Sequence, residues 1–516
     1  MAELSVNNKR LARNTIFLYI RMVFVMLISF YTTRIILDAL GVVDYGVYNV
    51  VAGFVSLFAV LNNCLTTGTN RFYNFAIGKG DDDEVRRVYN ASLRIQVIII
   101  VILLVLIETI GLWYINNKMV IPEDRLVAAN YLFQFSTLSL FFVVLQVPYS
   151  SAVLAYERMD YFAIVSVFDA LCKLGIALML PTVSGDKLIF YGFLMMLITI
   201  VNFLLYYIYS RVKFPALKIC RKVDKKIFRP LLSFSGWSTL DPLSYIVRDQ
   251  GSNMVLNLFF GPIVNAAFGI SRTISGAVTS FASNLSVAFR PQIIQSYSSG
   301  NYQRTKTLMF SMSKVNFFLQ VIVAVPLIFE MDALLKIWLK DSIPEYSVIF
   351  ACLVMIINCI NVLNEPVSIV MVSTGKIKLV KSVSLVIITI VVPIGYVLFK
   401  IGLPPYYIYI AMLFTTIANQ ISCIAIMIRK FPYIKAGDYI HEILYPCLML
   451  MVLSVLTPLA LTIILPPTIF RMILVLVLSC IVTFILAYYL YFDKNERSIV
   501  DSIIGKIIKS KRHNHE

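Results

Sequence analysis

Charged residues inside otherwise apolar stretches are the side chains of this sequence that could do chemistry. Asp169 and Lys173 stand four residues apart in one such stretch, and Asp241 and Arg272 occupy two others. Residues four apart lie on one face of a helix, where a carboxylate and an ammonium can pair. An ionisable group deep in a membrane is costly unless it pairs or faces a bundle interior or a water-filled cavity. These residues therefore predict either structural ion pairs or the polar lining of a cavity.

Arg272 has surroundings that favour the cavity. The stretch 268–289 reads as one membrane-spanning helix, but it carries Ser, Thr, Gly and Ala where a lipid-facing helix would carry Leu and Ile. Small residues let helices approach closely in lipid. At ~1.5 Å of helical rise per residue, Arg272 and Asp241 each lie roughly 15 Å into their spans. We therefore expect Arg272 to line a cavity, with Asp241 at the same depth.

Three further charges lie in the inner part of the predicted membrane region. Arg21 and Lys314 either line the cavity or extend their charged ends to the interface, and the sequence leaves both options open. Glu365 adds a carboxylate to those of Asp169 and Asp241. We expect these three carboxylates to be the candidates for binding a proton or a sodium ion.

The sequence lacks the motifs that many enzymes need. It has no GxxxxGK[ST] phosphate-binding loop, and its three histidines form no triad or metal-binding pattern. The eight cysteines include no CxxC pair, so neither a zinc site nor a disulfide framework is predicted. The acidic run 81–84 reads as a solvated helix start, because carboxylates favour the positive end of a helix dipole. We expect no enzymatic activity, no cofactor and no metal.

Composition places the chain in a membrane. Of its 516 residues 59% are hydrophobic and 14% charged, with a mean hydropathy of +0.82, whereas soluble domains average about 25% charged residues. Apolar segments of about 20 residues, enough to cross a bilayer, recur throughout. We predict an all-α polytopic membrane protein with about fourteen transmembrane helices. The predicted spans are 15–37, 45–66, 91–115, 131–155, 161–180, 188–210, 231–249, 262–288, 307–329, 346–373, 382–402, 406–428, 443–464 and 469–492.

Internal similarity divides these spans into two lobes. Gly46 aligns with Gly269, and Pro148 with Pro366, within two collinear matches that indicate a duplication. We predict two six-helix pseudo-symmetric lobes related as parallel repeats, followed by two extra C-terminal helices. The predicted divisions are 1–225 for the N-lobe, 226–442 for the C-lobe, 443–492 for the appended spans and 493–516 for a cytoplasmic amphipathic tail.

Basic residues predict the orientation. Most of the 45 Lys and Arg residues fall in the two termini and in alternate loops, and few fall in the loops on the opposite side. Loops rich in Lys and Arg stay in the cytoplasm, so both termini are predicted to be cytoplasmic. The same rule accounts for the net charge of +17 without invoking nucleic acid as a partner.

Three runs carry a resemblance to a known family. They are ALGVVDYGVYN at 39–49, GKGD at 78–81, and NLFFGP at 257–262 leading into AAFGI at 266–270. They resemble the polysaccharide-export, lipid-linked oligosaccharide flippase branch of the multidrug/oligosaccharidyl-lipid/polysaccharide (MOP) transporter superfamily. The resemblance covers nearly the whole chain, but its motifs are helix-packing patterns rather than catalytic signatures.

The resemblance implies a function. Members of that branch are taken to flip undecaprenyl-diphosphate-linked oligosaccharides, such as O-antigen, capsule or exopolysaccharide units, across the bacterial cytoplasmic (inner) membrane by alternating access. Their cavity is lined by basic residues, which implies Arg272 as a diphosphate contact and Arg21, Lys314 and Lys173 as further substrate contacts. The implied partners are the lipid-linked oligosaccharide, membrane lipids and other polysaccharide-assembly proteins.

Two alternatives come from other functional classes. A multidrug cation antiporter would have the same fold, but its cavity should be dominated by carboxylates rather than by Arg272 and Lys173. A polymerase of polysaccharide assembly should have a long outer loop with paired arginines, and this sequence has none.

Overall fold

A computed structural model describes residues 2–78, 80–156, 158–220, 227–232, 240–340, 342–374, 377–493 and 497. Every regular element in these described ranges is a helix, as the composition predicts. The predicted amphipathic tail lies almost entirely outside the described residues.

The described residues up to Ser298 contain nine labelled helices. They are α1 (Ala2–Gly78), α2 (Asp82–Leu106), α3 (Leu112–Asn117), α4 (Leu126–Leu145), α5 (Val147–Ala155), α6 (Met159–Met179), α7 (Lys187–Lys213), α8 (Leu240–Phe260) and α9 (Pro262–Ser298).

The described residues from Tyr302 onward contain ten more. They are α10 (Tyr302–Phe329), α11 (Met331–Leu339), α12 (Ser347–Asn361), α13 (Asn364–Ser373), α14 (Ile377–Thr389), α15 (Val391–Lys400), α16 (Tyr407–Lys430), α17 (Ala436–Tyr439), α18 (Tyr445–Ile464) and α19 (Ile469–Leu486).

Within the described residues, eleven helices are long and apolar enough to cross a membrane. The chain is therefore a multi-pass membrane protein. The predicted seventh and eighth spans correspond to α8 and α9, which are not among the eleven because they are more polar. The predicted first and second spans both lie in α1, where a kink at Gly41 (φ 78°, ψ 167°) separates two helices. The count of about fourteen spans remains a prediction.

Glycines in the left-handed region mark corresponding places in the two halves. Gly41 and Gly261 have φ of 78° and 73°, and each stands between two helical stretches. Gly80 and Gly300 have φ of 68° and 77°, and each donates its N–H to the carbonyl three residues earlier, at 3.0 and 3.1 Å. A side chain with a Cβ is strained at such φ values. Both pairs are 220 positions apart, which supports an internal duplication.

The later parts of the two halves correspond at a slightly different offset. α6 begins at Met159 and α14 at Ile377, 218 positions apart. The match of Pro148 with Pro366 predicts this offset, and each proline lies in the first turn of a short helix, α5 or α13. Near Gly269 the two ways of matching the halves differ by three residues. The offset of 220 between the left-handed glycines matches Gly269 with Asn49, whereas the sequence alignment matches it with Gly46.

The described residues form two compact units. The first comprises Met1–Gly269, Asp341–Glu345 and Thr389–Pro405, and the second comprises Ile270–Lys340, Tyr346–Ile388 and Tyr406–Glu516. The division between them falls inside α9. The predicted boundaries of the two lobes and of the appended spans remain predictions.

Close helix approach and aromatic packing build the first unit. Phe54, Phe133 and Leu132 are buried in its core. A Cβ built on Gly111 would lie 2.7 Å from Phe133 and 3.0 Å from Phe54, so only glycine lets these rings pack there. Without a hydrophobic driving force in lipid, such van der Waals packing supplies much of the helix association.

In the second unit, α10 is the helix that α18 and α19 pack against. Two ion pairs join α10 to the ends of α19. Lys314 Nζ lies 2.7 Å from Asp493 Oδ2, just beyond α19, and the Arg471 guanidinium lies 2.9 Å from Glu330 Oε1. Lys314 and Glu330 are 3% and 2% exposed. Pairing makes their burial tolerable, and it fixes the register of α19 on α10.

The segment after α7 is fastened to α2 by one asparagine. The Asn90 amide donates to the carbonyl of Lys218 at 2.8 Å, and its oxygen accepts from the N–H of Cys220 at 2.6 Å. Arg94 adds a hydrogen bond to the carbonyl of Cys220 at 3.0 Å. These bonds satisfy the backbone polar groups of a segment that forms no helix of its own.

We expect Asn90→Ala to lower the free energy of unfolding by about 2 kcal/mol, because it removes two hydrogen bonds to the backbone of this segment. Thermal unfolding in detergent measures the loss, and trypsin should cut the 211–218 region faster. Asn117→Ala is the matched control, because Asn117 is exposed and bonds only within its own helix. Equal behaviour of the two variants would contradict this account of the loop.

Candidate functional site

α9 has two different faces along residues 271–280. Ser271, Ile274, Ser275 and Val278 are buried within the second unit. The opposite face carries Arg272, Thr273, Gly276, Thr279 and Ser280, which are partly or fully exposed. The two faces follow from the helical period of 3.6 residues.

The buried face is fixed by hydrogen bonds between side chains. Ser271 Oγ lies 2.6 Å from the hydroxyl of Tyr409 on α16. Asn358 on α12 donates to Ser275 Oγ at 2.9 Å. These bonds set the rotation of α9 about its own axis, so they decide that Arg272 is on the more open side.

The exposed face is unusual for a membrane helix. Elsewhere the exposed positions of long helices carry large apolar residues, as at Val452 on α18 or Ile473 on α19. Between Val264 and Ser280, α9 has no exposed large hydrophobic residue in the described ranges. A Cβ built on Gly276 would meet no atom within 4 Å, so the space beside it is open. A face of this composition is suited to water rather than to hydrocarbon.

The ion pair predicted from residue spacing is confirmed. Lys173 Nζ lies 2.7 Å from Asp169 Oδ2 on α6. Asp169 Oδ1 also accepts from the Asn202 amide on α7 at 2.7 Å. The carboxylate therefore has a partner for each oxygen, which is the arrangement that a structural pair needs.

The other predicted site residues lie on helices other than α9. Lys314 pairs with Asp493, as described above. Glu365 on α13 lies 3.7 Å from Arg290 near the end of α9, and the side chain of Arg290 is 60% exposed. Arg21 lies in α1 and Asp241 in α8, but their side chains lie outside the described part of the structure.

Sequence reasoning missed two polar clusters that the tertiary structure assembles. In the first unit, Arg125 forms ion pairs with both Asp44 and Asp186, the latter at 2.8 Å. The second is the pair of Glu330 with Arg471. Their partners are 81, 61 and 141 positions apart, and no local pattern joins residues over such separations.

Among the residues that the structure describes, no group of three or more His, Cys, Asp or Glu side chains could hold a metal ion. The exposed face of α9 places the guanidinium of Arg272 on the same side as the hydroxyls of Thr273, Thr279 and Ser280. Such a site can bind an anionic or hydroxyl-rich ligand, since a guanidinium donates several hydrogen bonds in a fixed plane.

If Asp169 and Lys173 form a structural pair, changing both should destabilise less than the sum of the two single changes. We expect Asp169→Asn and Lys173→Met to show a coupling free energy of about 1 kcal/mol in thermal unfolding, because each single change leaves the partner without its counter-charge. Replacing Lys173 and Asn117 serves as a control pair, since Asn117 bonds within its own helix and shares no partner with the Lys173–Asp169 pair. A coupling free energy near zero for the first pair would contradict the structural role.

Comparisons with known proteins bear on the fold. No protein-family model matches the sequence, and no curated protein matches it. A multidrug resistance MATE family transporter of the MOP superfamily, in its inward-facing conformation, is similar in structure. Its TM-score is 0.64 at 12% sequence identity, over 80% of this chain and 98% of that one.

Two further solved structures are similar. The lipid II flippase MurJ, in an inward closed conformation, has a TM-score of 0.61 at 13% identity and matches 92% of this chain and 99% of that one. A MOP superfamily transporter from Pyrococcus furiosus Vc1 (DSM3638), whose reverse polarity of the binding pocket suggests a different function, has a TM-score of 0.61 at 13% identity over 81% and 95%. The chain therefore has the helical fold that MATE transporters and MurJ share.

Proposed function

We propose that this protein is a flippase that moves an undecaprenyl-diphosphate-linked oligosaccharide across the bacterial inner membrane by alternating access. The carried unit would belong to O-antigen, capsule or exopolysaccharide assembly. The polar head of such a lipid cannot cross ~30 Å of hydrocarbon unaided. A protein that moves it must supply a wet, polar path while the lipid tail stays in the bilayer.

The exposed face of α9 is the observation that carries this proposal. Arg272, Gly276 and Thr279 place a cation, an open space and a hydroxyl along one side of a helix that lacks exposed large apolar residues there. Hydrocarbon would favour Leu and Ile at such positions. We infer that this face borders an aqueous cavity.

Arg272 is suited to the diphosphate. A guanidinium forms paired, charge-assisted hydrogen bonds with phosphate oxygens, and its charge offsets the cost of bringing the anion to this depth. The hydroxyls of Thr273, Thr279 and Ser280 are groups that can bond to sugar hydroxyls. Arg21, Lys314 and Lys173 remain further candidates, although Lys314 and Lys173 already have carboxylate partners.

The extent of the structural similarity also supports a flippase. The MurJ match extends over 92% of this chain, compared with 80% for the first MATE structure.

A multidrug cation antiporter is the second candidate, and the MATE structures favour it. The Pyrococcus transporter indicates that pocket polarity differs among proteins of this fold. A cavity that binds organic cations should present carboxylates, yet the described face of α9 presents Arg272. Asp169, Asp241 and Glu365 remain candidates for proton or sodium coupling in either case.

We propose that both termini face the cytoplasm, where other polysaccharide-assembly proteins would supply the substrate.

The flippase predicts that cells without this protein accumulate the lipid-linked oligosaccharide on the cytoplasmic leaflet. Wild-type protein should restore its transfer, and Arg272→Ala should lower the transfer at least tenfold at equal protein level, because one phosphate contact of this kind is worth about 1.5–3 kcal/mol. Arg272→Lys should retain part of the activity. Arg429→Ala, at an exposed position in the last turn of α16, is the control.

If cells without this protein do not accumulate the lipid-linked oligosaccharide on the cytoplasmic leaflet, the flippase is rejected and the antiporter is favoured. A drug-susceptibility assay of the same cells would then test the antiporter. Full transfer by Arg272→Ala would retain the flippase and exclude Arg272 from its path.

Gly276→Leu tests whether the α9 face borders a cavity or lipid. Gly276 has open space around it, so the change should leave folding intact. In a cavity the added side chain narrows the path, and we expect transfer of the oligosaccharide to fall several-fold. Against lipid, the extra apolar surface is favourable and transfer should be unchanged. Val452→Ala, on the exposed side of α18, is the control for a change at the lipid surface.

A further inference from the structure

A chain of buried asparagines crosses the first unit. It consists of Asn253 and Asn257 on α8 and Asn265 on α9, each at most 2% exposed. Asn257 donates to Asn265 Oδ1 at 2.9 Å, and Asn265 donates to the carbonyl and side-chain oxygens of Asn253 at 2.7 and 2.6 Å. The three amides therefore form one connected set of hydrogen bonds.

Both ends of this asparagine chain bind backbone from the first half of the sequence. Asn257 accepts from the N–H of Val120 at 2.8 Å and donates to its carbonyl at 3.1 Å, a two-point contact with the loop between α3 and α4. Asn253 donates to the carbonyl of Asn49 in α1 at 3.2 Å. The asparagine chain thus joins α8 and the start of α9 to residues more than 130 positions earlier.

Glycines allow the same helices to come into direct contact. A Cβ built on Gly46 in α1 would overlap the backbone carbonyl of Pro262, the first residue of α9. A Cβ on Gly269 would lie 2.6 Å from Cγ of Asn49. The overlap at Gly46 is with backbone, so no side-chain rotation could relieve it. Any other residue at position 46 would force α1 and α9 apart.

The chemistry of this junction suits repeated separation. Water can replace the hydrogen bonds of an asparagine amide, so opening leaves no polar group unsatisfied. Contacts made through glycine expose little apolar surface when they part. A junction of interlocked large apolar side chains would instead expose hydrocarbon to water, which is unfavourable in proportion to the area exposed.

We propose that the asparagine chain and Gly46 form a latch that closes the protein on the side of the Val120 loop, the side predicted to be outer. The latch breaks when the protein opens toward that side. This inference rests on the proposed transport function, because only a protein with alternating access needs such an opening.

Ala266→Cys provides a reporter for the test. Ala266 is fully buried and lies between Pro262 and Gly269 on the side of α9 that meets α1. A membrane-impermeant maleimide, added outside intact cells that express the full chain, should label this cysteine only while α1 and α9 are apart. The same cells without the reporter give the background from the eight native cysteines.

Breaking the latch should raise labelling. We expect Asn257→Ala and Gly46→Ala each to increase the labelling rate roughly tenfold, because they remove hydrogen bonds or prevent closure and so shift the population to the open form. Gly175→Ala is the matched control, a glycine in α6 with no atom within 4 Å of the added methyl. Labelling at the level of that control for both variants would overturn the latch.

A disulfide that holds α1 against α9 should have the opposite effect and lower the labelling rate. This experiment also distinguishes an open latch from misfolding of the variants. Asn49→Cys with Gly269→Cys brings two thiols together, because a Cβ on Gly269 would lie 2.6 Å from Asn49 Cγ, the position that a cysteine Sγ would take. Oxidation should reduce the labelling of Ala266→Cys below that of the otherwise unchanged protein, and a reductant should restore it. Undiminished labelling after the cross-link has formed would overturn the proposal. No substrate takes part in this assay, so the latch can succeed while the oligosaccharide assignment fails.

Discussion

The cost of leaving a polar group unsatisfied in hydrocarbon is the constraint on which this structure depends. Lys314 and Glu330 are almost fully buried, and each has a partner of opposite charge on or next to α19. Asp169 divides its two oxygens between Lys173 and Asn202. These contacts make the buried charges tolerable. Each one also specifies which two helices pack together and at what height along their axes.

The same constraint explains why the two faces of α9 carry different residues. Ser271 and Ser275 are bonded to other helices, whereas the opposite side exposes Arg272 beside the open space at Gly276. A lipid-facing surface of this kind would be penalised. Water and a polar substrate are the surroundings that would satisfy it, which is the chemical basis of the transport path proposed above.

Transport by the proposed mechanism needs helices that pack closely and can also separate. The small and amide side chains of the first unit suit both requirements. Gly46 brings α1 onto α9 at backbone distance, which packs well without interlocking. Asn257 holds a loop by its backbone rather than by a side chain. Bonds of that kind can be exchanged with water, so a helix can part from its neighbour without losing a large buried apolar area.

The sequence by itself determined the helical membrane class, placed Asp169 and Lys173 where they can pair, and matched Pro148 with Pro366, because these follow from composition and from local or collinear spacing. Tertiary structure alone decided that Lys314 meets Asp493, that Glu330 meets Arg471 and that Asn257 meets Val120. It also decided which side of α9 is open. Partners separated by more than 100 positions carry no periodic signal, so only the packed helices bring them together.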